Sequence, residues 1–491
     1  MTAMSPTAAV PYVPLTHRET MWIVLGVLVP VFMTSIDQSM IAGALPTIGQ
    51  EFGDTRNLSW IIAANLLTMT AATPLYGKFS DIKGRRITLV VGIVIFMIGG
   101  IASALAPNMI ALIFARALQG IGSAGLVSQA MTVLGDVAAP KQRARYYTYF
   151  SITYTTAGAF GPAMGGFYSE YVHWSAVFWT GIPLGAVSLF FAMTLLGKLP
   201  RHEKPHKLDV LGALLIVAAS STFMFILSAG GKTWPWLSLQ ILGLTAISAA
   251  FWIGFFARLV TAPEPLIPLN ILRNQVVRTS TLANAVGWSA VIGLNIYLPL
   301  YLQAVLGMSP TASGLFLMVI MVTVNSSALG GAWVAARTEH YKRYPTITLL
   351  VCIAAMSWMA IRVDQMSVWE FEIALAIAGI GFGPVAPVST VATQNAVKLN
   401  ELGTATSVMS FSRSLFASML ITVLGVIILH TVAAPGGGKL TSADLAANRE
   451  AAIAAFRWLF WITNGCFVIT LMAFLRMEEK PLLNSNEGRM G

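Results

Sequence analysis

Charge is what this sequence has least of. Asp, Glu, Lys and Arg make up 10% of its 491 residues, against about 25% in soluble globular chains. With 56% of residues hydrophobic and a mean hydropathy of +0.73, that shortfall excludes an ordinary water-soluble enzyme. It also excludes disorder, which needs low hydrophobicity and high charge. Cysteine is nearly absent. Cys352 and Cys466 lie in apolar runs and read as small buried hydrophobes, so neither a disulfide framework nor a cysteine zinc site is available. No G-x-x-x-x-G-K-[ST] loop occurs, so the chain holds no phosphate-binding motor of its own. Clustered His and carboxylate ligands at metal spacing are missing, as are nucleophile motifs, which argues against an enzyme and against a bound metal or cofactor.

What is present is apolar sequence in long pieces. A helix needs about 20 apolar residues to cross the hydrocarbon core, and about fourteen such runs follow one another between residues 22 and 474. They are long and continuous, which points to helices rather than barrel strands. The first is no signal peptide, because it is too long, carries Asp37 and lacks a small-residue cleavage site. The net charge of +10 sits in short clusters between the runs. That placement reads as membrane topology rather than as a nucleic-acid surface. With the N-terminus inside, 22 of the 30 Lys and Arg fall on the cytoplasmic side, among them Lys78, Lys83, Arg85 and Arg86. The expectation is a multi-pass protein of the cytoplasmic (inner) membrane with both termini in the cytoplasm.

The runs group as six, two and six. A cytoplasmic tail at 1–20 leads to a six-helix bundle at 21–197. Cytoplasmic loops and two extra helices occupy 198–275. A second bundle spans 276–477, with an outward loop at 431–455, and a cytoplasmic tail covers 478–491. A weak internal echo relates the halves: the turn GKFSDIKGRR at 77–86 is matched by GAWVAAR at 331–337, without the acid or the second glycine. Internal repeats mark secondary transporters, whose substrate site lies between the halves near the bilayer midplane.

Four segments carry chemistry. The first is GKFSDIKGRRITL at 77–89, where Gly77 and Gly84 permit a tight turn and Asp81 supplies a carboxylate able to accept helix N-terminal amides. The second is IDQSMIAGALP at 36–46, whose Asp37 is the one carboxylate well inside an apolar run, a costly position that is functional by default. The third is LIFARALQGIG at 112–122, where Arg116 is a guanidinium in hydrocarbon and needs a polar partner. The fourth is GPAMGG at 161–166, with Pro162 breaking the backbone ladder and Gly161, Gly165 and Gly166 permitting close helix approach. Together these resemble motif A, the first-span antiporter motif, motif B and motif C of the major facilitator superfamily, specifically its fourteen-helix drug:proton antiporter branch (EmrB/QacA type). WSAVFWTGIPLG at 174–185, DVLG at 209–212 and QNAV at 394–397 point the same way.

The resemblance covers nearly the whole chain. It implies an all-α membrane fold of two six-helix bundles with two additional central helices. It further implies alternating access, protons as the coupling ion, and export of amphipathic small molecules or drugs. It implies that Gly77, Asp81, Gly84, Arg85 and Arg86 form a conformational latch against a helix starting near Gly403. A periplasmic adaptor and an outer-membrane channel are partners known in this branch. The alternative within transport is a metabolite exporter (organic acid, sugar or siderophore) or a proton symporter of the same fold.

Depth gives an independent reason to treat Asp37 and Arg116 as a unit. Asp37 lies about 13 Å from the outer end of its run, and Arg116 about 12 Å from the outer end of its own, at 1.5 Å per residue. On neighbouring helices the two charges meet. Burial favours the protonated form of a carboxylate and a cation favours the ionised form, so a change of surroundings between two states changes proton affinity. Beyond this pair, Asn65, Gln119, Asn284, Asn295, Asn325 and Arg413 are the polar candidates for a substrate cavity. Arg413, deep in its run, disfavours a dication and favours neutral or weakly acidic amphiphiles. The 23 Met and the Phe, Tyr and Trp residues, 10% of the chain, suit adaptable apolar binding, although most of them face lipid or pack.

Overall fold

The computed structural model describes residues 17–53, 57–138, 140–195, 209–231, 234–308, 310–338, 340–432 and 448–479. The described residues are helical almost throughout. In chain order the helices are α1 (His17–Glu51), α2 (Leu58–Lys83), α3 (Arg85–Ala104), α4 (Met109–Val137), α5 (Pro140–Tyr171), α6 (Ala176–Trp179), α7 (Gly181–Thr194), α8 (Val210–Ala229), α9 (Leu239–Thr261), α10 (Leu269–Arg273), α11 (Gln275–Ala304), α12 (Pro310–Arg337), α13 (Arg343–Arg362), α14 (Val368–Phe382), α15 (Val385–Asn395), α16 (Leu402–Val432) and α17 (Arg449–Arg476). Residues 1–16 of the expected tail at 1–20, 480–491 of the expected tail at 478–491, and 433–447 of the expected outward loop lie outside the described residues, and 17–20 belong to α1 rather than to a tail. That loop is shorter than expected at its far end, because α17 begins at Arg449.

Local chemistry sets the helix ends. Side chains of Asn108, Asp209, Ser238 and Asn274 accept backbone N–H groups of the helices they precede, and Ser367 and Glu370 form a reciprocal capping box. Each satisfies donors that a helix start leaves open. Gly84, at φ +89°, separates α2 from α3 in a conformation that a side chain would strain.

Length and apolarity alone qualify eleven helices among the described residues to cross a membrane, against the fourteen runs expected. The long helices that fall short in composition are α2 and α5. Helix α2 buries Asn65, Thr70 and Thr73 against protein, and α5 is rich in tyrosine and threonine. Polar groups turned inward lower the average hydropathy of a helix without exposing anything polar to lipid. In α12 the described apolar stretch is Phe316–Gly331. Two expected runs are also broken: 177–196 by the end of α6 at Thr180, and 369–391 by a turn at Gly383 and Pro384.

Helices α1–α7 pack chiefly on one another, as do α11–α17, and the halves meet where α2 lies on α16 and α5 on α12. The second helix of each half thus meets the fifth long unit of the other. The α8–α9 hairpin rests on α2 and α16, and Arg258 of α9 ties it at 3.0 Å to Asp209, the cap of α8. The core of the second half is aromatic: Tyr301 stacks on Phe371 at 5.2 Å and meets Phe456 at 5.1 Å. The echo of the 77–86 turn has taken another task. Lys342, just beyond α12, donates to the carbonyls of Leu475 and Met477 at 2.8 and 2.6 Å, holding the end of α17. Partial burial pushes its amine below the ordinary range, with Glu479 opposing.

Candidate functional site

Asp37 and Arg116 are in direct contact. Arg116 Nη1 donates to Asp37 Oδ2 at 2.7 Å, and to Gln119 Oε1 at 2.6 Å, while Gln119 Nε2 donates to Asp37 Oδ1 at 3.0 Å. The three form a closed ring of hydrogen bonds between α1 and α4. Arg116 and Gln119 reach one carboxylate because residues three apart share a helix face. Asp37 is 4% exposed and Arg116 1%. Asn65 completes the enclosure from α2, donating to the Arg116 carbonyl at 3.2 Å, and the Phe178 ring lies 5.6 Å from the guanidinium. A single acid therefore fastens two helices, and any proton it takes must change that fastening.

Motif C is the seat of α1. A Cβ at Gly165 would run into the Met40 carbonyl, and one at Gly161 into Ser39, so these glycines set the approach of α5 to the helix that carries Asp37. Gly166 faces open space, and Pro162 lies between them within α5. Gly165→Val is expected to destabilise the protein by about 1–3 kcal/mol through overpacking, whereas Gly166→Ala leaves the Tm unchanged or slightly raised. Thermal unfolding of the purified variants reads the difference.

The 77–86 turn is tied to the other half as well. Asp81 accepts from Gly403 N at 3.1 Å, Thr404 N at 2.8 Å and Thr404 Oγ1 at 2.7 Å, at the start of α16. Gly77 and Gly403 face each other, and a Cβ on Gly403 would meet both Asp81 and the Gly77 carbonyl. Arg85 pairs with Asp81 at 2.6 Å and with Asp136 of α4 at 2.7 Å. Arg86 makes no ion pair or hydrogen bond among the described residues. Sequence reading missed a second fastening at the same end. Arg143, fully buried, donates to Ala138 O, Gly135 O and Gln394 Oε1 at 2.8, 2.5 and 3.2 Å, and Gln394 Nε2 donates back to Met131 O at 3.1 Å. This joins α4 and α5 to α15.

A cavity of about 510 Å³ lies between the halves. Asn284, Asn295, Asn325 and Arg413 line it. Asn65 and Gln119 do not, because both are committed to the ion pair inside the first half. The remaining wall includes Tyr147 and Tyr154 of α5, Trp288 of α11 and methionines of α4, α12 and α16. Helix α4 thus carries Arg116, then the cavity residues Val127 and Met131, then the Gly135 and Asp136 contacts of the fastened end.

Two apolar-helix bundles fastened at one end, with a cavity between them and a sealed charge pair in one, have the architecture of a secondary transporter. The chain belongs to the Major Facilitator Superfamily, whose profile matches residues 27–422. It is 30% identical over 413 residues to Multidrug resistance protein 3 of Bacillus subtilis, covering 84% of this chain and 80% of that one. It is 29% identical over 457 residues to Efflux pump dotC of Dothistroma septosporum, covering 87% and 76%. Among solved structures, a bacterial homologue of the iron transporter ferroportin shares the fold with a TM-score of 0.65 at 12% identity, covering 95% of this chain and all of that one. The proton:xylose symporter XylE does so with a TM-score of 0.60 at 14% identity, covering 95% and 98%. The protein is a multi-pass membrane transporter of small molecules, with efflux pumps among its relatives, and not an enzyme.

Proposed function

We propose that this transporter is a proton-coupled exporter of amphipathic small molecules, of the fourteen-span drug:proton antiporter branch, working by alternating access in the inner membrane with both termini in the cytoplasm. The observation that carries this reading is the Asp37–Arg116–Gln119 ring. Structure alone could use apolar packing at lower cost, because a buried ion pair seldom stabilises more than a hydrophobic replacement. A carboxylate between α1 and α4 that exchanges the guanidinium for a proton gives coupling a physical basis.

The fastened end carries the basic turns, which the positive-inside rule assigns to the cytoplasm. The conformation described is then closed inward. A proton reaching Asp37 from outside neutralises it and frees Arg116 from its counter-ion. Helices α1 and α4 can then shift, and α4 transmits the shift to the cavity wall and to the Asp136 and Arg143 contacts. Release of the proton on the cytoplasmic side restores the ring. One charge per cycle moving through 100 mV supports about a fiftyfold gradient, enough for export without a nucleotide. A periplasmic adaptor and an outer-membrane channel would extend the path beyond the inner membrane.

Everted membrane vesicles test the reading. A fluorescent amphiphile is expected to accumulate when the lumen is acidified and to leak out when an uncoupler is added. Accumulation that ignores the uncoupler would contradict proton coupling.

A further inference from the structure

Four buried or half-buried cations of the helices have polar partners of a kind that Arg413, on the cavity wall, lacks. Arg116 has Asp37, Arg85 has Asp81 and Asp136, and Arg258 has Asp209. Arg143 is spent on carbonyls and Gln394. Arg413 makes no ion pair and no hydrogen bond among the described residues. Its guanidinium lies 5.5 Å from the centroid of the Trp288 ring, within the range of a cation–π contact, and both residues line the cavity. No Asp or Glu lines that cavity among the described residues, and Arg413 is its one charged side chain.

We infer that the cavity is an anion site: it takes amphiphiles that carry a single oxyanion head on an apolar, preferably aromatic, body. This rests on the reading of the protein as an exporter and names its substrate class. A guanidinium is a fork of donors matched to a carboxylate or sulfonate, and an unpaired one within a membrane protein is costly unless something occupies it. The Trp288 ring, 5.5 Å away, attracts the cation without using its N–H donors, which stay available to a ligand. Asn295 and Asn325 are neutral and each donates to a carbonyl of its own helix, at 2.8 Å, so Arg413 remains the one charge a ligand meets. The methionines Met131, Met318, Met321 and Met409 form a yielding apolar wall, and the volume is that of a drug-sized ligand. A cation finds no counter-charge there, because Asp37 is closed off within the first half by Arg116.

Charge also matters to the energetics. A monoanion leaving the cell moves charge in the same sense as a proton entering it. Exchange of one for the other therefore transfers two charges down the membrane voltage, each worth about a fiftyfold gradient per 100 mV.

Three probes of one shape separate the alternatives: 1-naphthaleneacetate, 1-naphthaleneacetamide and (1-naphthylmethyl)trimethylammonium, each radiolabelled. Their binding to the purified full-length protein in lipid nanodiscs is measured near neutral pH with no ion gradient. The acetate is expected to bind at least about tenfold tighter than the amide, the least that a hydrogen bond to a charged group supplies, with the ammonium weakest. Arg413→Gln is expected to bring the acetate to the level of the amide, and Arg413→Lys to keep the anion preferred. The inference is overturned if wild-type protein fails to prefer the acetate, including by not binding it, or if the preference survives in Arg413→Gln. The wild-type ranking decides by itself should the variant not fold. Because no gradient is present, failure here leaves proton-driven export standing, and loss of proton coupling leaves this site standing.

Discussion

Asp37→Asn is expected to abolish proton-driven export, by at least about a hundredfold, while substrate-for-substrate exchange across the same membrane continues. The asparagine keeps the size of the side chain and one acceptor for Arg116 Nη1, which now sits 2.7 Å from the carboxylate. It cannot take up and release a proton in the working range. It also turns an amide N–H toward Gln119 Nε2, which now donates to Asp37 Oδ1, so one bond of the ring becomes a clash of donors. Removing the counter-charge of a buried guanidinium costs about 3–5 kcal/mol, and the single variant is expected to be less stable. The double variant Asp37→Asn with Arg116→Gln separates stability from coupling. Removing both charges of a buried pair is often neutral for stability, so the double variant should recover the Tm of the wild type without recovering proton-driven export. If the pair served only to hold α1 against α4, the double variant would transport normally. Proteoliposomes assayed with and without a proton gradient, alongside thermal unfolding, read both quantities.

Asp81→Ala is expected to open the fastened end. Its carboxylate takes three hydrogen bonds from Gly403 and Thr404 and one from Arg85. A hydrogen bond to a charged group contributes about 1.5–3 kcal/mol, so losing this group moves the ratio of closed to open forms by at least about tenfold. Arg85 retains Asp136 at 2.7 Å, which keeps the turn folded and confines the change to the joint between halves. Spin labels at Lys83→Cys and Lys398→Cys, both exposed positions on opposite sides of the joint, measure it. The wild type should show mainly the short distance, and Asp81→Ala a dominant long one. An unchanged distance distribution would remove Asp81 from the latch.

The charge pair was legible because an acid inside an apolar run has few explanations, and because helical rise alone placed Asp37 and Arg116 at one depth. The contact of Asp81 with the start of α16 was to be expected only through the resemblance of the 77–89 segment to motif A. Asp136 was not legible, since an acid at a helix end beside basic residues looks like an ordinary solvated charge until Arg85 arrives from α3. Arg143 was hidden in a basic cluster that serves topology, and only packing shows which member turns inward. Asn65 and Gln119 mark a limit of another kind. A polar residue in an apolar run signals a protein-facing side, but this fold has two interiors, and sequence periodicity does not distinguish the inside of one half from the cavity between the halves. Average hydropathy alone passes over α2 and α5, because their polar groups depress it, whereas the run of the sequence marks both as spans.

Proton release on substrate binding measures the central claim most directly. Purified protein in weakly buffered solution with a pH-indicating dye is titrated with substrate, and the protons released per substrate bound are counted. Exchange of a proton at Asp37 for cargo predicts release by the wild type and none by Asp37→Asn at matched occupancy. Equal release by the two proteins would contradict it.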